Sequence, residues 1–315
     1  MEKDLRNTIK DIIRSHLKKK IGKVFGQCLT AVGWVGGTLP EMYEKDGMVE
    51  VSMADVAAGG FVVGAALMKS KPIYVIRYQG FNWYNCPMII NYACKSKEIW
   101  KVPCPIFVRG IGMEGGTGPV AGSSHHSLYY RMPGVKIVSP MTPKEYKSIY
   151  NSFLKNNDVY YVSEHRVSYP NKKELKNHLK NKPDIVIFAI SITRFEALKA
   201  SELLEKYNIK VSIVNIVWIK PLKISNKSFE NLKNSKFGGI VIDDDYTAGV
   251  AKSIANDISL KTNKRVYSLG LKDRTAGTGK GLDNLPPSSE EIVKFIKNIM
   301  KNEKGIHKKF NYFEK

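Results

Sequence analysis

Two apolar runs, PIYVIRY at 72–78 and DIVIFAIS at 184–191, constrain the fold more than any other feature. A strand with one wet face alternates apolar and polar residues. These runs scarcely alternate, so each belongs in a parallel sheet covered on both faces. Each also stands in a longer alternation. Strands at 24–29, 48–52, 72–78, 105–110, 135–140 and 159–164 are interleaved with helices at 3–20, 54–68, 84–99 and 142–156. The last helix opens with Thr142 and Glu145 spaced as a capping box. After residue 183, strands at 184–191, 210–216, 238–245 and 265–270 alternate with helices at 192–207, 226–235, 247–260 and 288–301. This pattern predicts an α/β protein with two parallel-sheet, three-layer domains. The boundaries fall at 1–165 and 183–300, with a polar, lysine-rich linker at 166–182 and a charged tail at 301–315. The 315 residues suffice for two such cores.

The formal charge of +21 raises the question of a nucleic-acid partner. The lysines are dispersed over the whole chain and gather on no recognition element. A solvated surface, an anionic small-molecule substrate or an acidic partner subunit is therefore expected, with no nucleic acid. No apolar run reaches the roughly 18–20 residues of a membrane span. The first twenty residues mix acid and base without an apolar block, unlike a secretory signal. Cys28, Cys86, Cys94 and Cys104 form no CxxC pair. A cytoplasmic protein with reduced thiols is expected.

In open α/β sheets ligands bind at the carboxyl ends of strands. Four candidates lie there: Gln27, Asp55, Phe81 and the glycine-dense stretch 110–127 that ends in His125–His126–Ser127. Asp55 heads an apolar helix, Ala54–Met68, that reads as buried. It is either the helix N-cap or a carboxylate that holds a proton on a bound heterocycle. The aromatics of FNWY (81–84) are either core or a platform for a flat ring. The histidines suit hydrogen bonding or acid–base work, and no third ligand stands at a metal-site spacing. GTGKG at 277–281 is not a phosphate loop, because no Ser or Thr follows Lys280.

Taken in order, VFGQ, SMADVAAGGFVVGAAL, KPIYVIRYQGF, the loop ending in HHS, GVKIVSP, IKPL (219–222) and AGVAKSIAN resemble the beta subunit of the first component of 2-oxo acid dehydrogenase complexes, and more distantly the C-terminal part of transketolase. The resemblance spans about residues 4–300. It implies that the first domain binds the aminopyrimidine ring of thiamine diphosphate and that the second is of the transketolase C-terminal type. The family's ring-binding glutamate falls on Asp55, its stacking aromatic on Phe81, and its histidine near the reacting carbon on His126. Tyr84 is a second candidate ring contact, and Gln27 stands where the family has an acid. The carboxylate at position 55 is thus one methylene shorter than in the family.

Such enzymes hold the diphosphate through Mg²⁺ in a GDG…NN segment, and this sequence contains no GDG. The resemblance therefore implies an alpha-type partner chain that carries the diphosphate and Mg²⁺, an α2β2 heterotetramer, and no metal held by this chain. The activity implied is decarboxylation of a 2-oxo acid with acyl transfer. The alternatives are the C-terminal subunit of a split transketolase-like enzyme that moves a ketol unit between sugars, and a non-catalytic interaction subunit in which Asp55 and Gln27 mark a decayed site.

Overall fold

The computed structural model describes residues 3–30, 32–113, 122–274, 281 and 283–310. The middle of the glycine-dense stretch and most of GTGKG lie outside the described residues. The chain divides into two compact units. The first comprises residues 1–175, 217–223 and 274–284, and the second 176–216, 224–273 and 285–315.

The first unit opens with α1 (Leu5–Lys18). Asp4 caps it by accepting from the Asn7 amide at 2.8 Å, and Leu5, Ile9, Ile13 and Leu17 form its buried stripe. There follow β1 (Val24–Gly26), α2 (Val32–Gly37), β2 (Met48–Glu50), α3 (Asp55–Leu67) and β3 (Ile73–Ile76). Next come α4 (Asn82–Met88), α5 (Cys94–Ile99), β4 (Phe107–Gly112), α6 (Ser127–Tyr130), β5 (Val135–Val138), α7 (Pro143–Lys155) and β6 (Val159–His165). The helix expected over 84–99 is two helices joined by a π turn at Ile89–Ala93. Pro87, two residues earlier, has no amide to donate to the ladder.

The sheet runs β2-β1-β3-β4-β6-β5 in parallel, with Ile73 beside Val24 and Phe107, and Phe107 beside Tyr160. On one face Val24, Ile73, Phe107, Tyr160 and Val162 pack with α1 and α7. On the other, Tyr74 and Tyr161 turn toward α4, where their hydroxyls meet Asn85 and Asn82. The seventh strand comes from far along the chain. Trp218–Lys220 forms β9, antiparallel to β5, with Ile137 opposite Lys220.

The second unit holds β7 (Ile185–Ile190), α8 (Thr193–Glu205), β8 (Val211–Ile216), α9 (Asn226–Lys233), β10 (Gly239–Tyr246), α10 (Val250–Thr262), β11 (Val266–Leu271) and α11 (Ser289–Phe310). Its four strands are parallel, in the order β11-β10-β7-β8. Helices α8 and α11 cover one face through Ala197, Leu204, Ile292 and Ile296. None of the described helices is long and apolar enough to cross a membrane.

One expectation is corrected. The helix read as buried is only half covered: Ala58, Val62, Val63 and Ala66 are buried, while Phe61 is 66% and Met68 83% exposed. A helix that is apolar all round signals burial, but sequence does not say which chain buries it. Gly59 lies on the covered side, where a Cβ would fall 3.0 Å from Met88 Cβ and 3.2 Å from the Asn85 carbonyl. Gly64 faces outward, and a Cβ there would meet nothing within 4 Å.

Two histidines of this unit are buried in their neutral form. Burial lowers the pKa of His16, whose Nδ1 lies 2.8 Å from the Tyr150 hydroxyl, to about 4, and that of His165 to about 3. Both folded values lie below the ordinary histidine value of about 6.5. The stability this contributes is fully present above that pH and is lost as pH falls through it toward the folded values, because only the unfolded chain binds the protons there. For His16 alone the loss is on the order of 3 kcal/mol. The urea midpoint is expected to be lower at about pH 5 than at about pH 7.5, with a smaller difference in His16→Phe. A midpoint that does not move between those values would contradict the burial of neutral imidazoles.

Candidate active site

Strand β2 ends at Glu50, and a short turn, in which the Ala54 amide donates to the Ser52 carbonyl at 2.7 Å, delivers the chain into α3. The N-cap of α3 is Ala54, with no side-chain cap bond. The capping role considered for Asp55 is therefore not the one the structure gives it. Asp55 is the first helical residue, where the helix dipole favours a negative charge. Its Oδ1 accepts two amide hydrogen bonds, from Gln27 Nε2 at 2.8 Å and Asn85 Nδ2 at 3.0 Å. Oδ2 has no hydrogen-bond partner among the described residues. Both donors are neutral, so they orient the carboxylate without adding charge.

Asn85 is the joint of the site. Its Nδ2 also donates to the Phe81 carbonyl at 3.0 Å, and its Oδ1 accepts from the Tyr74 hydroxyl. That second bond fixes which way the amide faces. Burial, and then the charge of Asp55, hold the Tyr74 hydroxyl well above the ordinary phenol range, so it remains a donor. One amide thus ties the Asp55 carboxylate to the backbone of the residue expected to supply the ring platform. The Phe81 ring is half-buried and leans on Tyr78, centroids 5.8 Å apart.

A second network starts two residues before Phe81. Gln79, fully buried, donates to Ser163 Oγ at 2.9 Å and to the Gly110 carbonyl at 3.2 Å. Its Oε1 accepts from the His125 amide at 2.7 Å and the Tyr161 hydroxyl at 3.1 Å. His126 is buried, with Nδ1 3.1 Å from Ser163 Oγ. Gln79 therefore holds the HHS loop to the ends of β4 and β6. Segment 79–85 carries both networks, through Gln79 at one end and Asn85 at the other.

The structure brings Gln27, Asp55 and the Phe81 backbone together, and places His126 in the adjoining network. It does not bring in Tyr84, which is 55% exposed on α4 and whose side chain makes no hydrogen bond or ring contact among the described residues. The core reading of FNWY is corrected as well, since Trp83 is 62% exposed. Gln79 and Asn85 escaped the sequence reading. The signal was an amide at the end of an apolar strand and another opening an apolar helical stretch, both costly to bury unless bonded.

Residues 3–172 match the family described as Transketolase, pyrimidine binding domain, and residues 176–292 match Transketolase, C-terminal domain. The chain belongs to this transketolase-type family. Among its relatives is the pyruvate dehydrogenase E1 component subunit beta of Rickettsia bellii, 25% identical over 286 residues, which are 83% of this chain and 86% of that protein. The beta subunit of acetoin:2,6-dichlorophenolindophenol oxidoreductase from Cupriavidus necator is 25% identical over 256 residues, 75% of this chain and 73% of that one. The 2-oxoisovalerate dehydrogenase subunit beta of Bacillus subtilis is 26% identical over 230 residues, 63% and 66% of the two chains. A solved structure of a split-gene transketolase, an inactive beta4 tetramer, shares the fold with a TM-score of 0.69 at 15% identity, covering 96% of this chain and 99% of that one.

Proposed function

We propose that this chain is the beta-type subunit of a heteromeric thiamine-diphosphate enzyme that decarboxylates a 2-oxo acid and passes on the acyl group. One observation carries the reading: a carboxylate at the head of α3 with one oxygen held by two amides, the other open, and Phe81 tied to the same amide. This fits a flat ring with a protonated nitrogen. When bound, thiamine diphosphate supplies a nucleophilic thiazolium carbon and an electron sink.

The residues of this chain do the rest. Asp55 Oδ2 holds the proton on the ring nitrogen. Phe81 gives the ring an apolar face. Asn85 and Gln27 keep the carboxylate aimed. His126, whose Nδ1 lies 3.1 Å from Ser163 Oγ, would serve as the acid–base group toward the reacting carbon. Tyr84, on the exposed side of α4, reaches the ring only if the assembled form folds it inward.

An alpha-type partner with a GDG…NN segment supplies the diphosphate and Mg²⁺ sites, in an α2β2 arrangement. The exposed apolar side chains of α3, among them Val56, Phe61 and Leu67, support such a partner, because exposed apolar surface of this kind marks interaction sites. Four free cysteines accord with a reducing compartment such as the cytoplasm. The substrate is a small molecule, and the charge of +21 suits an anionic one.

Co-expression with the GDG…NN chain, purification, and titration with thiamine diphosphate and Mg²⁺ test the proposal. A stable complex that binds the cofactor is expected. Separate chains that bind none would refute it. Turnover of 2-oxo acids against sugar phosphates then divides this activity from ketol transfer, the alternative.

A further inference from the structure

Three helices of the first unit end on a lysine in the left-handed region. Lys20 follows α1 with φ 52°, Lys69 follows α3 with φ 63°, and Lys101 follows α5 with φ 60°. Glycine fills such positions most often, because a Cβ there crowds the backbone. Asparagine is the usual substitute, and the second unit uses it, with Asn208 after α8 and Asn263 after α10. A cation near a helix C-terminus is favourable. That gain does not call for a left-handed residue, since Lys18 has it from within the last turn of α1. Three lysines thus carry a backbone cost that their own helices do not explain.

The three turns lie side by side. They precede β1, β3 and β4, which are neighbours in the parallel sheet. The Lys71 amide donates to the Ile21 carbonyl at 3.2 Å, and the Phe107 amide to the Pro72 carbonyl at 3.0 Å, so the segments are joined where the strands begin. Adjacent strands are about 4.8 Å apart, which gathers the turns along roughly 10 Å of sheet edge. Lys18, Lys19 and Lys23 are exposed there as well, and none of the six lysines forms an ion pair among the described residues. Acids do not balance them. Asp158, before β6, already bridges Lys97 and Lys136 at 2.7 Å each. Glu98 is the one acid of α5, and Glu44 and Asp46 flank Lys45 before the outer strand β2.

Large apolar side chains stand beside these amines. Met68, just before Lys69, is 83% exposed, and Ile99 and Trp100, just before Lys101, are 58% and 54% exposed. Amines on long stems beside a tryptophan suit the boundary between lipid headgroups and acyl chains. All six cations are lysines, compact charges without the fork of arginine. That favours a diffuse anionic layer over a grip on one phosphate or base edge. A nucleic acid would leave Met68 and Ile99 in water.

We propose that this edge of the first unit docks on an anionic lipid surface, with the lysines among the headgroups and Met68, Ile99 and Trp100 at the margin of the acyl layer. The inference does not rest on the catalytic reading, since Asp55 lies at the opposite end of α3.

Sedimentation of the full chain with vesicles of mixed phosphatidylcholine and phosphatidylserine, against phosphatidylcholine alone, tests it. Binding to the mixed vesicles only, weakening as salt is raised, is expected. One lysine near such a surface is worth about fivefold in affinity, so Lys20→Gly, Lys69→Gly and Lys101→Gly combined are expected to bind about a hundredfold more weakly. The same triple variant is expected to unfold at no lower a temperature than the wild type, because glycine suits the left-handed positions. A structural role would move the two readouts together. Trp100→Ala is expected to weaken binding as well. Lys182→Gly, at the left-handed lysine before β7 in the second unit, is expected to bind as the wild type does. A loss in Lys182→Gly as large as in Lys69→Gly would assign the binding to net charge and overturn the proposal. Equal binding to both kinds of vesicle, or to neither, would overturn it too, as would duplex DNA bound through the three lysines where vesicles are not. Should the triple variant unfold earlier than the wild type, wild-type affinity in each single glycine variant would overturn it. If the chain binds vesicles alone but its complex with the GDG…NN chain does not, the partner covers this edge and the proposal falls.

Discussion

Replacing Asp55 by alanine will lower turnover of the assembled enzyme by roughly 10² to 10⁴-fold, the range for loss of a positioned proton-transfer group. Its open Oδ2 offers the ring nitrogen an ionic acceptor, and alanine offers none. The cost to folding will be small. Asp55 is only half-buried, and its removal frees two neutral amides, Gln27 and Asn85, at about 1 kcal/mol. Turnover and thermal unfolding measured on the same preparation separate these effects. Alanine at position 55 with wild-type turnover would refute the role assigned here. Asp55→Glu is the finer probe. A misplacement of about 1 Å costs on the order of a hundredfold in rate. If the amides from Gln27 and Asn85 have set the geometry for the shorter side chain, glutamate will be slower. A faster glutamate variant would mean that the shorter acid is a compromise.

The second large effect is on stability. Arg109, in the middle of β4, and Glu164, near the end of β6, form a buried two-pronged ion pair, with Nε–Oε1 at 2.6 Å and Nη2–Oε2 at 2.8 Å. The hydroxyls of Tyr146 and Tyr169 each donate to Glu164 at 2.8 Å, and Arg109 Nη2 also donates to Thr38 Oγ1 at 3.0 Å. Burial opposes the charge on Arg109, but Glu164 more than offsets it and holds its pKa above the ordinary arginine value. Burial, and then Glu164, hold both tyrosines protonated as donors. Arg109→Met leaves an uncompensated buried carboxylate and is expected to cost about 3–5 kcal/mol, read from denaturant unfolding. Adding Glu164→Leu removes the stranded charge and is expected to recover most of the loss. A double variant as unstable as the single one would show that packing, not the lone charge, sets the cost.

Some of the site was legible because its parts are local. Gln27, Asp55 and Phe81 each follow a strand by a few residues, and strand ends are where such sheets take ligands. The order of short strings then pointed to the same positions. Asn85 and Gln79 were not legible, because their meaning lies in what they join. Asn85 links Asp55 to Phe81 and Tyr74, and Gln79 links the HHS loop to Ser163. Nothing local distinguishes a bracket from an ordinary polar residue. Arg109 was hidden inside PIFVRG, which reads as an apolar strand with a single charge.

By itself the sequence determined the class of fold, two parallel-sheet α/β units, because uninterrupted apolar strands must be covered on both faces. It also placed a carboxylate at the head of an apolar helix, and showed that no GDG segment accompanies it. Tertiary structure alone decided three things. It made Asp55 a held, one-side-open carboxylate where spacing alone favoured a cap, since that depends on donors 28 and 30 residues away. It returned Trp218–Lys220 to the first sheet as an antiparallel edge, a pairing set by contacts over some eighty residues rather than by local pattern. And it left one face of α3 open where its composition implied burial. Periodicity reports that a surface is apolar, whereas only packing shows whether the chain itself covers that surface.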